Sequence, residues 1–141
     1  MKVLGVLTMF GLALGVQSAT AQTFDAGLPS GWVVSGTAGT SGADGVVTLA
    51  PGAGSAAYGW VSTADSTATA GYGLGDERNG SSLRSTTFAA AAGDSLRFFF
   101  NYVTSDGSVF TDYGYANLLN AADLSVAAVL FNARTQASAA S

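Results

Sequence analysis

Apolar side chains in this chain come in short alternating runs between clusters of Gly, Ser, Thr, Asn and Asp, with no long helical period. The strongest run lies between the turn residues Gly93-Asp94 and Asp106-Gly107. In an extended chain it puts Leu96, Phe98, Phe100 and Tyr102 on one face and Arg97, Phe99, Asn101 and Val103 on the other. The first face is predicted to enter a core, the second to stay partly wet or to lie under a loop. Further strands are predicted over Val33–Ser35, Val46–Ala50 (ended by Pro51-Gly52), Ala56–Thr63, Leu83–Phe88, Val109–Leu119 and Leu124–Ala133. Alternation groups Tyr58, Trp60 and Ser62 against Ala57, Gly59 and Val61. It groups Val126, Ala128 and Leu130 against Val129 and Phe131. Residues 36–45 and 64–82 read as loops, Ala89–Ala92 as a connection too short to nucleate a helix, and Asn120–Asp123 as a turn. Phe24 and Trp32 are apolar anchors around a Pro29 and Gly turn. About eight short strands predict an all-β fold, a jelly-roll-like antiparallel β-sandwich, with a barrel as the alternative.

The first 21 residues follow a different pattern. Lys2 precedes an apolar run from Val3 to Val16, and Ala19-Thr20-Ala21 forms a small-x-small cleavage site. A membrane span needs about 20 apolar residues, more than this run supplies. Residues 1–21 are therefore expected to be a secretory signal peptide, 22–134 a single β-sandwich domain, and 135–141 a flexible tail.

Charge narrows the partners. Beyond the leader, Arg78, Arg84, Arg97 and Arg134 face nine acids, a net charge of −5. That balance disfavours nucleic acid and anionic lipid as partners. The chain has no Cys and no His. Disulfides, His- or Cys-based zinc, copper and haem sites, the Ser-His-Asp triad and the Cys-His pair are thereby excluded.

Few motifs carry chemistry. Gly73-Leu74-Gly75 with Gly80 lacks the spacing and the following helix of a phosphate-binding turn. Asn79-Gly80-Ser81 matches an N-glycosylation acceptor. Trp60, Tyr72, Tyr113 and Tyr115 are candidate ligand-binding aromatics, with burial in a core as the competing role. Asp25, Asp76, Glu77, Asp106 and Asp112 are loop acids that could converge on a structural calcium ion, which takes six to eight oxygen ligands. They otherwise serve as solvated charge. A glycoside hydrolase needs two carboxylates about 5 to 9.5 Å apart, and no pair is supported by spacing.

Leu28-Pro29-Ser30-Gly31-Trp32, Gly80-Ser81-Ser82-Leu83-Arg84-Ser85, Gly93-Asp94-Ser95-Leu96-Arg97-Phe98 and, above all, Asn101-Tyr102-Val103-Thr104-Ser105-Asp106-Gly107 carry a resemblance. The chain resembles exported bacterial β-proteins of the PEP-CTERM type, whose C-terminal sorting signal is read by an exosortase. The resemblance implies an extracellular or cell-surface location and no particular reaction. The sorting signal itself does not occur before Ser141, which leaves two readings open: a truncated polypeptide, or a natural end at Ser141 without surface anchoring. The expected function is a non-catalytic secreted module, structural or binding glycan or exopolysaccharide, with no cofactor beyond calcium. A glycoside hydrolase-like enzyme on a related sandwich is the alternative.

Exported material is expected to begin at Gln22 by intact mass. Full-length protein starting at Met1 and retained in the cytoplasm would contradict the leader assignment.

Overall fold

The structure, a computed structural model, describes residues 22–63, 80–104 and 112–134. Among them are six strands and no helix: β1 (Val33–Ser35), β2 (Thr37–Ser41), β3 (Tyr58–Ser62), β4 (Ser82–Arg84), β5 (Tyr113–Leu119) and β6 (Val126–Arg134). Pairing is antiparallel throughout, β1 with β4, β2 with β3 and β5 with β6. The fold is all-β, with six strands among the described residues where the sequence pattern predicts about eight. The chain divides into two compact units, one within Val6–Phe88 and one carrying Ala89–Ser141.

In the first unit β1 and β2 are nearly one strand. Only Gly36 separates them, and its φ of 77° is a bend that a side chain would resist. Ser35 pairs with Ser82 before the bend and Thr37 with Ser62 after it. The Ser81 hydroxyl closes this junction. It accepts from the Thr37 amide at 2.7 Å and donates to the Ser62 carbonyl at 2.6 Å, joining two register partners through a side chain. At the other end, Phe24 meets Trp32 edge-on, with centroids 5.4 Å apart, across the turns closed by Gly27 N to Phe24 O and Trp32 N to Pro29 O. These are the anchors read from the sequence.

Three expectations change here. Residues 37–41 form β2 rather than loop, because their small side chains leave room for the Trp60 ring over Gly39. Val46–Ala50 is not a strand. The Asp44 carboxylate draws the Val46 and Val47 amides to 2.9 and 2.8 Å, turning the chain instead of leaving those donors for a ladder. The stretch ends as expected at Pro51-Gly52, where Ala53 N reaches Ala50 O and Gly52 has φ 78°, as a type II turn requires. Leu83–Phe88 shortens to Ser82–Arg84, and Phe88 lies exposed.

The second unit is built on the β5–β6 hairpin. Asn120 closes its loop, exchanging backbone hydrogen bonds of 2.9 Å with Leu124 and Ser125. Pairing is regular from Tyr113↔Arg134 to Ala116↔Phe131, then shifts twice, so that Leu130 and Ala127 have no partner opposite. These bulges overturn the expected faces of the last strand. By register, Val126 and Val129 share a side with Leu119 and Asn117, and Ala128 and Phe131 share the other.

The run with the strongest strand signal is the largest departure. Residues 95–104 adopt no strand, and Leu96, Phe98 and Phe100 are 54%, 38% and 58% exposed rather than buried. The segment rests on the hairpin through side chains. Phe100 lies on Phe131 with centroids 3.7 Å apart, and Tyr102 covers Gly114. High β-propensity does not make a strand without a backbone partner.

Leu124 is the one described non-glycine residue with positive φ, at 60°. That conformation costs an L-residue roughly 1–2 kcal/mol, partly offset by glycine's greater chain entropy. Leu124→Gly is therefore expected to raise stability by about 0.5–1 kcal/mol in denaturant melts, and a loss would show that the exposed leucine packs usefully.

Candidate functional site

Register builds one surface of mixed chemistry. On β5, Tyr113 and Tyr115 lie two residues apart and so share a face. Their partners across the hairpin are Arg134 and Asn132. Cross-strand partners project to the same side, so two phenols, a guanidinium and a carboxamide occupy one end of the face. Both tyrosines are half-buried, and Asn132 and Arg134 are exposed. Asn117 follows on the same side, its buried Oδ1 without a protein hydrogen-bond partner. The opposite side carries Gly114, Ala116 and Phe131 and lies under Tyr102 and Phe100.

A two-residue strand repeat spaces the tyrosines by about 7 Å. Rings at that spacing, flanked by neutral and cationic donors, suit a ligand with flat C–H faces and many oxygens. The face has no carboxylate among these residues.

The other aromatics serve packing or fall elsewhere. Trp60 lies against Gly39 and donates its Nε1–H to Ser41 Oγ at 3.1 Å. That contact uses its one polar group inside the β2–β3 sheet. Tyr72 lies outside the described residues.

Two of the acids read as calcium candidates, Asp25 and Asp112, are among the described residues. Asp25 Oδ1 accepts from the Ala56 and Ala57 amides at 2.6 and 3.1 Å and from the Ser55 hydroxyl at 2.9 Å, tying the N-terminal segment to the start of β3. Asp112 accepts from the Thr104 hydroxyl at 3.2 Å. Asp76, Glu77 and Asp106 lie outside the described residues, and among those that are described no three acids gather closely enough to hold a metal ion.

Sequence pattern pointed to both tyrosines but missed Asn132 and Arg134. Nothing local marks them, because only the hairpin register makes them neighbours of Tyr115 and Tyr113. It also missed two turn carboxylates with shifted acidity. Hydrogen bonds from Val47 and Val46 hold the Asp44 carboxyl below its ordinary value, and those from the Ser125 hydroxyl and amide do the same for Asp123. Tyr58 donates to Asp44 Oδ2 at 3.1 Å, and partial desolvation together with that carboxylate pushes its phenol upward.

A depressed carboxyl pKa favours folding above the unfolded value and loses that contribution as pH falls through the folded one. The melting temperature is therefore expected to fall as pH drops below about 4, the ordinary carboxylate range. Asp44→Asn with Asp123→Asn should flatten that fall. An unchanged acid profile in the double variant would show that neither turn is held by its charge.

No family model, curated protein or solved structure matches the chain, so the tyrosine face is interpreted on its own chemistry.

Proposed function

We propose that this chain is a non-catalytic, exported β-sandwich module of jelly-roll type that binds extracellular polysaccharide at the cell surface. The observation that carries the binding role is the placement of Tyr113 and Tyr115 on one hairpin face, opposite Arg134 and Asn132. A pyranose ring offers C–H faces to an aromatic ring and hydroxyls to an amide or guanidinium, so this set of side chains recognises it without a reaction. The leader at 1–21 and the PEP-CTERM-type resemblance support export and a surface location. A net charge of −5 beyond the leader favours a polysaccharide over nucleic acid as the partner.

The test is affinity electrophoresis of the mature chain in gels containing neutral and acidic polysaccharides. Retardation is expected with at least one. Each ring–ligand contact contributes about 0.5–1.5 kcal/mol, so Tyr113→Ala with Tyr115→Ala should weaken binding roughly 5- to 140-fold. The Trp60→Phe variant should retain affinity, because Trp60 packs within its own sheet. No retardation in any polysaccharide, or equal retardation of the double variant, would reject this face as the site.

A further inference from the structure

Among the described residues, 95–103 find no backbone hydrogen-bond partner, the last backbone bond before them being Asp94 N to Ala91 O. They contain no Gly and no Pro, and each face carries large apolar groups. Phe99 and Val103 are about as exposed as Leu96 and Phe100. A run of unpaired N–H and C=O groups with high β-propensity and apolar flanks can take up another strand.

We propose that this segment pairs antiparallel with the same segment of a second copy of the chain, forming a two-fold dimer centred on Phe99. Two features select a second copy. The segment is self-complementary: in the register centred on Phe99, Phe98 faces Phe100, Leu96 faces Tyr102 and Arg97 faces Asn101, so apolar meets apolar and no like charges meet. The stretch 94–104 is also neutral, carrying only Asp94 and Arg97, whereas the chain beyond the leader has a net charge of −5. Two copies repel one another over their acidic surfaces but not here. The new hydrogen bonds lie in the plane of the backbone, so Phe100 keeps its contact with Phe131 and Tyr102 its place over Gly114. An isologous pairing is two-fold and closes on itself at the edge it uses, joining two chains there.

The mature chain is tested by sedimentation equilibrium over about a thousand-fold range of concentration, with hydrogen exchange read at each end. A monomer–dimer equilibrium is expected, with amide protection across 95–103 appearing only in the dimer. Phe99→Asp should weaken the dimer at least about tenfold. Because the chain has no cysteine, Phe99→Cys should form a disulfide dimer under mild oxidation, and Phe88→Cys, outside the segment, should not. The cross-link serves where the aspartate variant does not fold. A monomer at every concentration would overturn the proposal. So would a dimer whose 95–103 amides exchange freely, higher-order assembly instead of a dimer, or equal cross-linking at 88 and 99.

Discussion

At Gly39, Gly59 and Gly114 an aromatic ring occupies the space a Cβ would need. A Cβ on Gly59 would lie 2.5 Å from the Phe24 ring, one on Gly39 2.6 Å from Trp60, and one on Gly114 3.0 Å from Tyr102. All three glycines are in strands, where the residue ordinarily weakens pairing. Here the missing side chain is what allows a large ring to lie against the backbone. Trp60 is the register partner of Gly39, so the ring crosses the ladder it belongs to. Phe24 then sits on the neighbouring residue of β3, on the opposite side, and carries Trp32 against its edge. β2 and β3 are held from both faces by rings that a single methyl group would displace.

Such contacts matter because, among the described residues, no large side chain is fully buried. Short polar side chains take over part of what a core would do. Ser81 completes the ladder at the bend after β1, Asp25 fixes the N-terminal segment to the start of β3, and Asp44 turns the chain toward Tyr58. Each such bond contributes little net, because folding exchanges it for bonds to water. Their value lies in position, since each joins segments distant in sequence or settles the direction of a turn. A sequence rich in Ser, Thr and Gly is suited to this, as small side chains reach the backbone without filling the space the rings need.

Legibility followed whether the deciding partner was local. Pro51-Gly52 and Asn120–Asp123 were readable because a turn is specified by its own residues. The strands around Trp60, around Tyr113 and Tyr115, and around Phe131 were readable from aromatic and β-branched content. β2 was not, because Thr-Ala-Gly-Thr-Ser has the composition of a loop and becomes a strand only when Trp60 covers its glycine. The run 95–103 failed in the opposite sense: its propensity is high, but no described backbone edge pairs with it. The tyrosines of the candidate site were visible as exposed-aromatic candidates, whereas Arg134 and Asn132 became part of it only through register.

The two bulges of β6 show how that register reaches the site. Had β6 stayed regular from Arg134 to Val126, strict alternation would have placed Leu130 with Asn132 and Arg134, where the bulge instead places Val129. Skipping Leu130 puts Val129 opposite Asn117, and skipping Ala127 brings Val126 opposite Leu119. The irregularity is confined to the loop-proximal half of the hairpin. Tyr113, Tyr115, Asn132 and Arg134 all belong to the four regular pairs at the other end. Their spacing is therefore set by ordinary antiparallel geometry, while the strain at Leu124 and the extra twist of the bulges stay near the loop. The proposed binding role would draw on that separation, because regular pairing sets the backbone positions from which the four side chains project.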